Sequence, residues 1–186
     1  MPTLRTVAVL VGSLRRQSLN RKVAQTLIDL AAGTLTLELV EIGALPLYSQ
    51  DDEANPPVAW VSFRDAVRGA DAVLFVTPEY NRSVPGALKN AIDVGSRPYG
   101  KSVFAKKPAA IVSVSPGAIG GFGANHHLRQ SLAFLDMPVM QQPEAYIGGA
   151  DKLFDANDRL INDATRVFLQ QFLDAFAQWI ERNIAP

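Results

Sequence analysis

Short apolar runs alternate with amphipathic stretches along the whole chain. Thr6 to Val11 is almost wholly apolar and reads as a strand. Leu35 to Ile42, where Thr36, Glu38 and Glu41 break up the apolar residues, reads as a second strand exposed on one face. Ala72 to Val76 and Ala109 to Val114 are continuous enough for the buried centre of a parallel sheet. Pro138 to Gln141 and Ala145 to Ile147 together suggest a fifth strand, interrupted at Pro143. Between these runs the period changes to that of a helix. Leu19, Val23, Ala24, Leu27, Leu30 and Ala31 share one face behind Ser18, a suitable N-cap. Further helices are expected near Val58 to Arg68, from Pro85 in its favoured first-turn position to Asp93, and up to about Asp136. In the last helix Leu160, Ile161, Ala164, Val167, Phe168, Phe172, Ala175, Phe176, Trp179 and Ile180 form one stripe. Such alternation predicts an α/β fold with a parallel sheet covered on both faces. No repeat or composition break divides residues 1–186, so one domain is expected.

In open sheets of this kind ligands sit beyond the carboxyl ends of the strands. Three segments of unusual composition leave such ends, after the first, third and fourth strands. The first, Gly12 to Asn20, combines a glycine that releases the chain from its strand, the rotatable hydroxyls of Ser13 and Ser18, and the guanidinium of Arg15. Placed at a helix start, this set suits a phosphate dianion, although an ordinary polar connection uses the same residue types. The spacing is neither Gly-x-Gly-x-x-Gly nor a Walker loop, which turns the reading away from dinucleotides and nucleoside triphosphates. The second, Thr77 to Gly86, is bracketed by Pro78 and Pro85, and it offers an aromatic face at Tyr80 and amide edges from Glu79 to Asn81 to a flat ligand. The third, Ser115 to Gly123, has little side-chain bulk and many backbone donors for a ring edge; a flexible linker would have the same composition.

Composition narrows the chemistry. The chain has 18 basic and 18 acidic residues, which speaks against nucleic acid or a membrane surface as a partner. It has no cysteine, so disulfides, thiolate nucleophiles and iron–sulfur clusters are excluded. With only His126 and His127 and no carboxylates at ligand spacing, neither a metal site nor a catalytic triad is evident. Redox chemistry would need a bound cofactor. Met1 to Arg5 lead into the first strand without the features of a signal peptide, and no run reaches the roughly 20 apolar residues of a membrane span. A cytoplasmic location is therefore expected.

Taken together, Gly12-Ser13-Leu14-Arg15 with Ser18 and Asn20, Pro78-Glu79-Tyr80-Asn81 with Ser83-Val84-Pro85-Gly86, Leu88-Lys89-Asn90-Ala91-Ile92-Asp93 and Ser115 to Gly121 resemble the NADPH-dependent FMN reductase family. His127-Leu128-Arg129-Gln130 and Pro143-Glu144 are similar to its bacterial chromate and quinone reductase branch. The resemblance spans nearly the whole chain. It implies a flavodoxin-like three-layer sandwich with five parallel strands in the order 2-1-3-4-5, and FMN as cofactor. By position, Ser13, Arg15, Ser18, Leu19 and Asn20 would hold the ribityl phosphate. Pro78, Glu79, Tyr80 and Asn81 would line the isoalloxazine, and Ser115 with Gly117 would close on its other edge.

The implied activity takes electrons from NADPH or NADH to FMN and on to quinones, nitro or azo compounds, or metal anions such as chromate, with ping-pong kinetics. No side chain is assigned as a catalytic acid or base. The resemblance also implies a homodimer, or a homotetramer. At the interface stretch, however, this chain has Gly123 and His126 where tetrameric relatives carry Arg and Tyr, leaving Glu144 without its expected partners. His126 and His127 are read as interface or capping residues, and Trp60 and Trp179 as packing residues. The alternatives are an azoreductase or arsenical-resistance relative using the same site, and a flavodoxin-type electron carrier or regulatory flavin-binding protein. A carrier usually has a strongly charged surface, which a neutral chain does not favour.

Overall fold

The computed structural model describes residues 4–184; Met1 to Thr3, part of the lead-in to the first strand, lie outside the described residues. Strands β1 (Arg5–Val11), β2 (Leu35–Leu39), β3 (Ala72–Thr77), β4 (Ala109–Val114) and β5 (Ala145–Ile147) form a five-stranded sheet in the order β2-β1-β3-β4-β5, every pair parallel. Helices α1 (Leu19–Leu30), α2 (Val58–Gly69), α3 (Gly86–Gly95), α4 (Phe122–Phe134) and α5 (Asp163–Asn183) cover it. This is the expected doubly wound fold and strand order.

The period of two along each strand sorts the core into two layers. Val7, Val9 and Val11 of β1, Leu74 and Val76 of β3, and Val112 and Val114 of β4 pack with α1 and α5 on one face. Ala8 and Leu10, Val73 and Phe75, and Ile111 pack with α2, α3 and α4 on the other. Because both faces are covered, β3 and β4 are buried at every position, which is why their sequences are almost continuously apolar. Trp60 is fully buried, and Trp179 packs at the edge of its layer with Nε1 donating to the Pro138 carbonyl at 2.8 Å.

Several boundaries differ from the sequence expectation. β2 ends at Leu39; Val40 still donates to Val9, after which the chain crosses the sheet edge and buries Ile42 in the opposite layer. Pro85 is the N-cap of α3 and not its first residue, and the helix runs on to Gly95, where a Cβ would lie 2.4 Å from the Phe104 ring. Only Ala145–Ile147 of the proposed fifth strand pairs as a strand, Val139 contributing a single bridge to Ala109. Leu160 and Ile161 precede α5. Asn162 caps that helix by accepting from the Thr165 N–H at 2.8 Å, so Leu160 instead forms a bridge with Phe154. Val167 and Ile161 are exposed, and the buried stripe of α5 is Leu169, Phe172, Leu173, Phe176 and Ile180.

Candidate functional site

Loop one connects β1 to α1. The Gly12 N–H donates to the Val76 carbonyl at 2.8 Å, which holds the loop's start against the end of β3. A Cβ on Gly12 would approach Pro78 Cδ and Leu88 Cδ2 to 3.2 Å, so the glycine lets loop one sit directly on the start of loop two. Ser13, Ser18 and Asn20 are buried, whereas Leu14 to Gln17 arch out into solvent and Leu19 packs partly against the core. Ser18 caps α1, its Oγ accepting from the Arg21 N–H at 3.2 Å, which leaves the hydroxyl proton free to donate. Asn20 is buried with its Oδ1 unpartnered. An unpartnered buried acceptor calls for a donor, which a phosphate dianion lacks, so it is the Asn20 Nδ2 that would serve a phosphate.

The charges around this arch are sorted. Arg21 pairs with Glu41 at 2.7 Å and Lys22 with Asp158 at 2.5 Å, while α1 has no acidic residue in its first turn. Among the described residues no carboxylate lies within ion-pair distance of Arg15 or Arg16, which remain exposed beside the buried hydroxyls. A hollow of about 220 Å³ lined by Arg16, Ser18, Arg21, Lys22, Gln25 and Asp158 opens next to them, the Asp158 carboxylate being taken up by Lys22. Hydroxyl donors, the N–H groups of a helix start and two uncompensated guanidiniums fit a phosphate dianion.

Loop two contains a tight hairpin. Tyr80 and Ser83 exchange two backbone hydrogen bonds at 3.0 and 2.9 Å across Asn81 and Arg82, which both adopt positive φ (51° and 63°), as in a type I′ turn. Pro78 is buried, and Tyr80 stands at the surface, 48% exposed. Proline bracketing is thus only part of what holds this loop. The Glu79 carboxylate, grouped above with the ring-lining residues, turns toward α4 and accepts from the Ala124 N–H at 3.0 Å and from Arg82 at 3.2 Å. Ser83 Oγ lies 2.7 Å from His127 Nδ1, a contact that no spacing in the sequence signals.

Loop three is less open than its glycine content suggests. The Gly117 N–H donates to Ser115 Oγ at 3.1 Å and the Gly120 N–H to the Gly117 carbonyl at 3.2 Å, so part of the expected donor set is spent internally. Gly148 follows β5, and a Cβ there would lie 2.5 Å from the Ala118 carbonyl oxygen. The loop is therefore pressed onto the chain that follows β5. Gly117, Ala118 and Ile119 are left exposed at its tip.

On α4, His126 Nε2 lies 2.9 Å from Tyr146 Oη and 3.7 Å from Glu144, with Phe122 packed on the imidazole at 4.3 Å. Burial, with Glu144 next to it, pushes the Tyr146 hydroxyl up to about 12. Glu144 thus has a neighbour within its own chain. Among the described residues no cluster of side chains suited to a metal ion is found, and no helix is long and apolar enough to cross a membrane.

A doubly wound parallel sheet in this strand order, with loop one seated on loop two and α4, which follows loop three, packed against loop two at the carboxyl edge, defines a flavodoxin-like fold. Residues 5–152 match the NADPH-dependent FMN reductase family, and the chain belongs to that family. A quinone reductase of Pseudomonas putida is 66% identical over 186 residues, covering 100% of both chains. A 2-hydroxy-1,4-benzoquinone reductase of Burkholderia sp is 48% identical over 174 residues, 94% of this chain and 95% of that one. Among solved structures, the flavoenzyme NAD(P)H:(acceptor) oxidoreductase FerB of Paracoccus denitrificans superposes with a TM-score of 0.92 at 44% identity, covering 97% and 99% of the two chains. The protein is an oxidoreductase that works with FMN and NAD(P)H.

Proposed function

We propose that the three loops bind FMN and that the enzyme reduces quinones at the expense of NAD(P)H, each turnover converting NAD(P)H, a proton and a quinone into NAD(P)⁺ and a hydroquinone. The observation that carries the reading is the cradle itself: Ser13, Ser18 and Asn20 are buried beside two arginines with no acidic partner among the described residues. In it Ser13, Arg15, Ser18 and Asn20 would hold the ribityl phosphate while Leu19 anchors the helix start. Pro78, Glu79, Tyr80 and Asn81 would border the ring on one side, and Ser115 and Gly117 on the other. Bound FMN supplies the two-electron chemistry that no side chain of this chain provides. The protein's own part is to orient, to shield, and to present backbone donors where negative charge develops.

Quinones are favoured as acceptors by the quinone reductases at 66% and 41% identity, from Pseudomonas putida and Escherichia coli. We extend the acceptor range to nitro and azo compounds and metal anions such as chromate, because Tyr80 and the tip of loop three leave the cleft mouth exposed. One open mouth serving both substrates in turn gives ping-pong kinetics. The exposed side chains Leu47, Val58 and Tyr99 suit burial in a homodimer.

The test is steady-state oxidation of NADPH and NADH by FMN-loaded enzyme with a benzoquinone as acceptor. Double-reciprocal plots at several quinone concentrations are expected to be parallel. Absence of turnover with saturating FMN would overturn the reading in favour of an electron carrier.

A further inference from the structure

The side chain of Glu79 does more than border a ring. α4 begins immediately after Gly121, which sits at φ 77° and offers the helix no side-chain cap, and the first turn of α4 holds no acidic residue. The acceptor for its Ala124 N–H comes from the other loop: Glu79 Oε2 at 3.0 Å, on a side chain only 14% exposed. A carboxylate at that place also meets the positive end of the helix dipole. Gly123 is shaped to it, since a Cβ there would come within 2.9 Å of the same oxygen. The other carboxylate oxygen accepts from Arg82, and Ser83 meets His127, three residues after Ala124, on α4's exposed side.

We propose that Glu79 is a positioning residue for the reaction: as the cap of α4 supplied by loop two, it fixes the spacing between the loops that would clasp the ring. Tyr80 and Asn81 follow Glu79 directly, and loop three runs into the helix that Glu79 caps. Releasing the carboxylate therefore frees both walls at once. The inference rests on the FMN reading given above, and it concerns how the site is held together and not what fills it.

The experiment is fluorescence titration of apoprotein with FMN, together with visible circular dichroism of the loaded protein, for wild type, Glu79→Ala, Glu79→Gln and Gly123→Ala. Loss of a hydrogen bond to a charged group predicts that Glu79→Ala raises the FMN dissociation constant by at least about tenfold and changes the flavin dichroism. Glu79→Gln keeps an acceptor oxygen for the Ala124 N–H and is expected to restore both. Gly123→Ala, which leaves the carboxylate in place but crowds it, is expected to resemble Glu79→Ala, and it answers the question even if Glu79→Ala does not fold. Wild-type affinity and dichroism in both Glu79→Ala and Gly123→Ala would overturn the proposal, as would a Glu79→Gln variant no better than Glu79→Ala. A wild-type protein that takes up no FMN would instead overturn the reading on which it rests.

Discussion

Loop one shows how much depends on single side chains. Ser13 is buried at the end of β1 with a free donor, and Arg15 is a cation with no acidic partner among the described residues. Hydrogen bonds to charged groups contribute about 1.5–3 kcal/mol each, so the double variant Ser13→Ala, Arg15→Ala is expected to weaken FMN binding by at least about 100-fold in a quenching titration. Tyr80→Ala is a contrasting case. Its ring is exposed at the mouth, so catalytic efficiency with quinone acceptors should fall while the FMN dissociation constant moves little. Equal rates across several acceptors in this variant would argue against a place beside the ring.

The turn in loop two and the packing of loop three give the next tests. Arg82 holds a positive φ that suits glycine, and its ion pair with Glu79 has one partner 74% exposed, a geometry in which such pairs contribute little. Arg82→Gly is therefore expected to raise stability by about 1 kcal/mol in chemical denaturation, reversing the usual direction of a glycine substitution. Gly148→Ala should do the opposite. Its Cβ would meet the Ala118 backbone, which has no flexible end to move aside, and a loss of about 1–3 kcal/mol together with a shifted loop three is expected. Neither outcome was legible in the sequence. The central strands were, because burial on both faces writes itself into β3 and β4 as unbroken apolar runs, whereas the strand order followed from the family resemblance. The residues proposed for the cradle are also consecutive or nearly so, which is why a sequence reading could single them out. The Glu79–Ala124 and Ser83–His127 contacts join residues more than forty positions apart, and only the packing of α4 against loop two creates them. The start of α5 departs from the helical period for a related reason: Leu160 and Ile161 fit that period, but the Asn162 cap stops the helix short of them.

Across the molecule, the first strand and the last helix are tied by Arg5, whose guanidinium meets Glu181 at 2.7 Å and also Asp71 at 3.5 Å. Arg5 holds the Glu181 carboxyl below its ordinary value. A carboxyl depressed in the folded state stabilises the fold above its unfolded value, and that contribution disappears as pH falls through the folded one. Glu181→Gln should therefore be slightly less stable than wild type near neutrality, and the gap should close below the usual carboxylate range and also in high salt, because the pair is exposed. A gap that persists at acid pH would show that packing, not charge, links these two elements. Gel filtration with light scattering, comparing wild type with Leu47→Ser, Tyr99→Ser, tests the proposed homodimer, and a shift toward monomer is expected.

Around the arch of loop one, the pairing of Arg21 with Glu41 and Lys22 with Asp158 leaves Arg15 and Arg16, among the described residues, to meet an incoming anion. A seat so provisioned would recognise the tail of its nucleotide by chemistry that any tetrahedral oxyanion shares. On the reading proposed here, riboflavin should be refused where FMN is held, and inorganic phosphate or sulfate should compete with FMN during reconstitution. The buffer in which the enzyme is purified would then decide whether it emerges yellow or colourless.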